Sequence, residues 1–486
     1  MLQRKTFLLL ILLFLLTLSF RLYFAFSYEN FPLQSYFHIY QTEKIKQNPL
    51  LTNYDDLSYS GRILNYPPLF HYLLALTSFI PNNFKIIPAL LFSLSVIIAF
   101  FIALRISNSE GTSLFSALLY AFTPIAIKET LNAVSVYTLA IPLIFLIIYL
   151  IIKLKEKPLF NYLILTTVFL FFTHPIFIFL TISFMLYPIL LQIVNIKINE
   201  NRKEAITFFI ILSLLVSILI FKSNLLELGF DTIFQNIPDQ IKQNFFRAIN
   251  PFEIVLNIGL ITLIFGLTGI SYGLFKLKKA SIFLISSLIL STFLLLAFKL
   301  IEFNLGILIL GLSLAILSSL GIKTFFSYIS KTKLHNFKSL FLILIIILVI
   351  LTSIIPSITQ ALSLDVVSDK EIEAIKFLET KTSKLSTIAS SPIEGHLINF
   401  AKRRNIADTY YLGAKDTTER FEDLKTLYKT EFSSVAKQII SKYGIDYILL
   451  SKHGKKFYEI TKLSFTDKCI KEVFKNEEAG IYSAEC

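Results

Sequence analysis

Apolar runs of about twenty residues recur along this chain of 486 residues, and nothing constrains its fold more strongly. A helix of that length matches the roughly 30 Å hydrocarbon core of a bilayer. Lipid offers no partner to backbone N–H and C=O groups, so such runs must be helical. About eleven can be read, near 6–26, 84–105, 112–127, 132–152, 159–173, 175–195, 204–222, 253–275, 281–299, 302–321 and 338–358. The third and fifth are short. The apolar stretch 69–80 is shorter still and suits a helix lying at the interface or dipping in from one side. Composition agrees: 55% of residues are hydrophobic and 16% charged, with a mean hydropathy of +0.68, beyond what a soluble domain tolerates.

Basic residues set the expected orientation. With Arg4 and Lys5 in the cytoplasm, every second connection is cytoplasmic, and those connections hold Arg105, Lys153, Lys155, Lys157, Lys197, Arg202, Lys203, Lys276, Lys278, Lys279, Lys323, Lys331, Lys333 and Lys338. That is the positive-inside pattern. The net charge of +13 is therefore read as topology, and no nucleic-acid partner is expected. The first run is longer than a signal-peptide core and lacks a small-x-small cleavage site, so an uncleaved anchor is expected. An odd number of spans leaves the C-terminal part outside a multi-pass protein of the cell (plasma) membrane.

Composition changes near Asp365. The expected organisation is a transmembrane domain over 1–360, with a long first external loop at 27–83, and an external domain over 361–486. Ser368-Asp369-Lys370-Glu371 has the capping-box pattern and opens an amphipathic helix with Ile372, Ile375, Phe377 and Leu378 on its apolar side. Residues 385–390 and 447–450 read as short buried strands and 416–442 as two helices, so a small α/β fold is expected. The two cysteines, Cys469 and Cys486, fall in this domain. A two-residue-loop hairpin turning at Glu477-Glu478 pairs Asn476 with Ala479, Val473 with Tyr482 and Cys469 with Cys486, and a disulfide there suits an oxidising exterior.

No relay of ionisable groups crosses the apolar runs, which argues against a transporter. Candidates for chemistry gather in the external segments: His38, Asp55, Asp56 and Arg62 in the first; Lys128 and Glu129 in the second; His174 beside Pro175; Asp231, Asp239, Arg247 and Glu253 around 223–252. Lys299 and Glu302 flank another external turn and read as ordinary interfacial anchors. A carboxylate beside a cation at a membrane surface is what transfer from a lipid-linked phosphate needs. The carboxylate acts as base or metal ligand and the cation neutralises the leaving phosphate. A divalent metal, Mg or Mn, is the cofactor such carboxylates would hold; no ligand set is assigned.

The run Tyr36-Phe37-His38, with Asp55-Asp56, Gly61-Arg62 and Tyr66-Pro67-Pro68-Leu69-Phe70-His71, resembles the first external loop of GT-C glycosyltransferases. These are polytopic enzymes that use polyprenyl- or dolichyl-phosphate-linked sugars, such as oligosaccharyltransferase catalytic subunits, with divergent archaeal relatives, and protein O-mannosyltransferases. Residues 123–150 are similar to their second external loop and following helix. Ser391-Pro392-Ile393-Glu394-Gly395-His396, Lys402-Arg403-Arg404, Asp408 and 442–448 are similar to their acceptor-side domain. The resemblance implies a GT-C-like helical fold and transfer of a sugar or oligosaccharide from a lipid carrier to a protein or glycan acceptor. The chemistry of such a transfer makes Asp55 or Asp56, with His38, the expected catalytic group, and Arg62, Arg247 and His174 the expected groups at the donor phosphate. Glu129 would be the second-loop carboxylate, and Glu394, His396, Arg403, Arg404 and Asp408 would lie on the acceptor side. The chain departs from the pattern at Gln34-Ser35 and Ser135-Val136, where relatives carry acidic residues, and it has no Trp for the acceptor motif. A degenerate protein that binds lipid-linked glycan or assists cell-surface polysaccharide assembly is therefore the alternative.

Overall fold

The computed structural model describes residues 3–50, 54–154, 157–248, 250–465 and 469–485. All eleven apolar runs fold as helices. Seven are long and apolar enough to cross a membrane: Arg4–Ser27, Asn83–Ser107, Glu200–Thr232, Leu260–Leu277, Ala280–Ala297, Phe303–Ile329 and Lys333–Leu362. An eighth span is a pair, Glu110–Ala121 and Pro124–Thr130, bent by 46°. The break falls at Phe122-Thr123, just before a proline that cannot donate the next helical hydrogen bond. The other three runs form shorter apolar helices of 10–17 residues, Tyr137–Lys153, Leu159–Phe171 and Phe177–Ile193. The count of full-length spans is thus seven or eight among the described residues, below the eleven expected.

Phe303–Ile329 is the centre of the bundle, with 94% of its apolar window buried, against 22% for Arg4–Ser27. Its neighbour Leu260–Tyr272 approaches backbone to backbone: a Cβ on Gly269 would lie 2.2 Å from the Leu317 carbonyl oxygen, and one on Gly321 2.1 Å from that of Phe265. Small residues at such crossings are how membrane helices gain packing without a hydrophobic driving force between them.

Between the first two spans the chain forms a helix at Ser35–Gln47, a two-stranded hairpin of β1 (Tyr54–Asp55) and β2 (Arg62–Ile63), and a helix at Leu69–Leu76. The last is too short to span, in line with the reading of 69–80.

After the final span, the Ser368 capping box opens Asp369–Lys381 as expected. A five-stranded sheet follows in the order β4-β3-β5-β7-β6, where β3 is Thr387–Ala389, β4 Arg404–Asn405, β5 Tyr447–Leu450, β6 Ile470–Lys475 and β7 Gly480–Ala484. β3 pairs in parallel with β4 and β5, and β7 is antiparallel to β5 and β6. The 416–442 region gives the two expected helices, Thr417–Lys429 and Ser433–Tyr443. The terminal hairpin turns as read, with the Asn476 N–H donating to the Ala479 carbonyl. A bulge at Val473 then slips the register, so Glu472 pairs with Tyr482 and Ile470 with Ala484. The Cys469 carbonyl accepts from the Glu485 N–H. The expected Cys469–Cys486 bridge rests on Cys486, which lies outside the described residues.

Candidate functional site

The tip of the β1–β2 hairpin inserts into the C-terminal domain. Arg62 and Asp408, both buried, form an ion pair at 2.9 Å. The other Arg62 Nη donates to the Tyr410 carbonyl, and the guanidinium lies 4.6 Å from the Tyr59 ring centre and 5.5 Å from that of Tyr410. Ser58 Oγ donates to Asp408, the Tyr59 N–H to Asn405 Oδ1 at 2.8 Å, and the Tyr59 hydroxyl to the Asp408 carbonyl at 3.0 Å. Burial alone would raise the Asp408 pKa. The Arg62 charge, His396, the Ser58 hydroxyl and the Tyr410 N–H outweigh that and hold it below the ordinary carboxylate range. Arg62 and Asp408, read from sequence as donor-side and acceptor-side groups, are therefore partners in one buried clasp, in which Arg62 Nε is left without a hydrogen-bond partner.

Imidazoles and aromatic rings line the inner side of this clasp. His38 Nδ1 is 2.9 Å from His71 Nε2, and the two rings stack with centres 5.1 Å apart. Phe37 stacks on Tyr410 at 5.4 Å and packs against His396 at 4.9 Å. The Leu69 N–H donates to the Phe172 carbonyl, bringing this segment to His174. Desolvation, then the neighbouring His71, His396 and His174, push the His38 pKa well below its usual value. Burial lowers His71 to about 3 and His174 to about 4. Near pH 7 these rings are neutral hydrogen-bonding groups rather than cations.

Asp55 is buried beside them, but its carboxylate is engaged: it accepts from the Leu57 N–H at 3.1 Å, the Tyr40 hydroxyl at 3.3 Å and Gln41 Nε2 at 3.3 Å, with Lys44 Nζ at 4.0 Å. Asp56 is exposed. The first-loop carboxylates thus split, one holding the loop in shape and the other facing solvent.

A second polar cluster sits at the domain-side end of the helices. Glu129, on the half-helix Pro124–Thr130, accepts from Asn304 Nδ2 at 3.0 Å. Asn304 Oδ1 accepts from Arg247 Nη2 at 3.4 Å; Arg247 also pairs with Glu253 and lies 4.3 Å from the Phe303 ring centre. Glu302 stands at the N-cap position of Phe303–Ile329, without a side-chain hydrogen bond to the first turn. Desolvation, with repulsion from Glu129 and a smaller opposing pull from Lys128, raises its pKa to about 7. His174 packs edge-on against Tyr137 at 5.4 Å, and Tyr137 in turn senses both Glu302 and Glu129. So Glu129, Arg247 and His174 come together as candidates, with Glu302 and Asn304 added.

Arg21 completes this region. It is fully buried in Arg4–Ser27, and its Nη1 donates to Thr130 Oγ1 at 3.0 Å and to the Thr130 carbonyl at 3.3 Å, with its charge 3.8 Å above the Phe92 ring. A cation there favours the negative end of the half-helix that carries Glu129. Sequence reading passed over Arg21, although a lone charge inside an apolar run is the usual mark of function in membrane proteins. In sequence Glu302 reads only as an interfacial anchor, His71 stands in a motif without a role of its own, and Asn304 has none, because only the fold brings them to the site.

The remaining acceptor-side candidates are internal. Glu394 is buried and accepts from the Ser391 N–H and from the Ser391 and Ser451 hydroxyls. Arg403 is buried against the Glu379, Thr382, Ala401 and Lys402 carbonyls. Arg404 is partly buried on β4, and His396 Nε2 lies 3.8 Å from Asp408. Asp231 and Asp239 are exposed and within 4 Å of Lys242. A metal would need several converging ligands, and no group of three or more His, Cys, Asp or Glu stands so among the described residues. Asp55 is engaged by its own loop and Glu129 by Asn304, so the described residues do not offer the expected Mg or Mn a converging carboxylate set.

Comparison with solved structures identifies the architecture. The Archaeoglobus fulgidus oligosaccharyltransferase in its apo form superposes with a TM-score of 0.74 over 99% of this chain and 74% of that one, at 12% identity. ArnT from Cupriavidus metallidurans bound to undecaprenyl phosphate superposes at 0.54 over 98% and 97%, at 9% identity. The arabinofuranosyltransferase AftD from Mycobacteria superposes at 0.58 over 97% and 41%, at 13% identity. An oligosaccharyltransferase from Archaeoglobus fulgidus has been solved in complex with an inhibitory peptide and a dolichol-phosphate, and the protein solved in the apo form also in complex with Zn and sulfate. In sequence, the dolichyl-phosphooligosaccharide-protein glycotransferase 1 of Archaeoglobus fulgidus is 32% identical over 128 residues, 24% of this chain and 22% of that protein. The match thus spans about a fifth of that curated relative. No family model matches the chain.

Proposed function

We propose that this multi-pass membrane chain of GT-C fold is a glycosyltransferase. It moves a sugar or oligosaccharide from a polyprenyl- or dolichyl-phosphate (or diphosphate) carrier to a protein or glycan acceptor. The neighbours of like fold are lipid-linked sugar transferases, some solved with carrier lipid or acceptor peptide, which supports that class of donor. The observation that carries the reading is the meeting of Glu129, Glu302 and Arg247 at the domain-side end of the bundle, beside His174 and below the first loop.

In this reading Glu302, poised between protonated and ionised forms, takes the proton of the acceptor hydroxyl or amide as its oxygen or nitrogen attacks the anomeric carbon. Glu129 keeps that carboxylate from ionising too early. Arg247 faces the carrier phosphate as the glycosidic bond breaks and charge accumulates on the leaving oxygen. The neutral imidazoles of His38, His71 and His174 wall the site without adding positive charge. Asp56, the exposed carboxylate of the first loop, is the remaining first-loop candidate for an acceptor contact. The basic residues at the other end of the helices support a cytoplasmic N-terminus, an external C-terminal domain and a location in the plasma membrane.

The engagement of Asp55 within its own loop favours one second reading, a protein that binds lipid-linked glycan without transferring it. Cells lacking the chain separate the two. Their glycans and glycolipids should lack one species, restored by the wild type and not by Glu129→Gln or Arg247→Gln at equal membrane abundance. Restoration by both variants would favour the binding protein.

A further inference from the structure

The end of the bundle opposite the C-terminal domain holds a cavity that plays no part in the proposed chemistry. It has a volume of about 530 Å³ and lies between the ends of Asn83–Ser107 and Tyr137–Lys153 and the start of Glu110–Ala121. Phe101, Leu104 and Tyr149 form its apolar wall, with the Phe101 and Tyr149 rings 6.1 Å apart. Arg105, Lys153, Asn108 and Glu110 form its polar part.

The charges here are unequal in availability. The Glu110 carboxylate is committed: one oxygen accepts the Gln3 N–H and the other the Thr6 hydroxyl, tying the first span to this helix. Arg105 and Lys153 are both exposed, and neither has an ion-pair partner among the described residues; Lys153 has only the Tyr149 ring, 5.9 Å away. Other basic groups at this end are used differently. Lys323 Nζ donates to the Ser107 carbonyl and Arg202 to the Ile152 carbonyl, each closing a helix end. Those contacts occupy helix-terminal carbonyls and leave Arg105 and Lys153 as the available cations of the cavity. Carbonyls at helix C-termini carry partial negative charge, which by itself disfavours an anion, and the two cations oppose it.

We propose that this cavity binds the headgroup of an anionic phospholipid, its phosphate between Arg105 and Lys153 and an acyl chain along Phe101 and Leu104. The order of chemistry fits that occupant: apolar wall, aromatic ring and cations meet where a chain ends in bilayer and begins in water. Basic pockets between membrane helices are the recurrent form of anionic-lipid recognition. A free phosphate would satisfy the cations and leave the apolar wall bare, so the occupant is a lipid and not a soluble anion.

The test uses the full chain, purified in detergent and stripped of lipid, with native mass spectrometry to count retained phosphatidylglycerol, phosphatidylcholine and inorganic phosphate. Phosphatidylglycerol should be retained selectively. The doubly substituted Arg105→Gln/Lys153→Gln chain should hold it about 30-fold more weakly, given the usual contribution of two basic residues at a membrane surface. Both positions are exposed, so the variant should fold as the wild type does. A control, Lys276→Gln/Lys278→Gln, removes two exposed charges outside the cavity and should retain wild-type binding. Equal loss in the control, equal retention of phosphatidylcholine, or displacement of the lipid by millimolar phosphate would each overturn the proposal.

Discussion

Asp408 shows how one side chain can be necessary without touching substrate. Its carboxylate collects Arg62, Ser58, Asn405 and the Tyr410 N–H, uniting two segments more than 340 positions apart in sequence. Replacing Arg62 by Ala should destabilise the loop–domain junction by about 3–5 kcal/mol, since a buried charge would lose its partner. Thermal unfolding and limited proteolysis of the first loop would read this. Because the folded pKa of Asp408 is depressed, its contribution is present above the ordinary carboxylate value near ~4 and lost as pH falls toward the lower folded value. Acidification through that range should loosen the clasp, and Asp408→Asn should remove the pH dependence. Glu302 has the opposite shift. If it is the base, transfer should rise with pH through about 7, and Glu302→Gln should abolish that limb. A profile flat from pH 6 to 8 in the wild type would remove Glu302 from the mechanism. These residues mark the limit of sequence reading. His38, His174, Glu129 and Arg247 stood out as polar groups in external segments. Nothing local showed that Asp55 would be engaged by Tyr40 and Gln41, or that Arg62 would face Asp408 instead of a phosphate.

At the scale of elements, patterns with short-range causes were legible. The Ser368 capping box, the strand at 447–450, the paired helices of 416–442 and the short helix after Pro67-Pro68 all formed where periodicity and caps place them. What failed depended on long-range or single-residue effects. The hairpin register slipped at Val473, because a bulge costs little in a terminal strand pair and leaves no clear sequence mark. Prolines mark where the apolar runs break, because Thr123-Pro124 bends one and Pro175 falls between two of the three shorter helices. Glycines were equally silent in sequence, yet Gly269 and Gly321 permit a backbone-to-backbone helix crossing in the bundle interior. Gly269→Val or Gly321→Val should lower the melting temperature and cost at least ~1–3 kcal/mol, since backbone atoms block the new side chain. Gly111→Ala is the matched control, because nothing lies within 4 Å of its new methyl group. Equal stability of all three variants would show that the crossing tolerates more room than the structure provides.

For the whole molecule, the division of labour follows from physics that composition already announces. The helices bring a polar cluster to one end of the bundle, and the sheet domain with the first loop covers that end. If the N-terminus is cytoplasmic, protease added to cells stripped of any outer layer should release the segment after Asp365, and its protection would reverse the orientation. The central claim, transfer from a lipid-linked sugar, is tested most directly with the purified full chain in lipid nanodiscs. The nanodiscs would be supplied with polyprenyl-phosphate- and diphosphate-linked sugars and an acceptor extract, with mass spectrometry following donor consumption and release of the sugar-free carrier phosphate. The wild type should convert at least one donor class to free carrier and glycosylated acceptor, and Glu302→Gln should slow this by about 10²–10⁴-fold, the usual worth of a general base. A Glu302→Gln variant that turns over at the wild-type rate would remove Glu302 as the base, and a folded wild-type protein that leaves every donor intact would contradict the central claim.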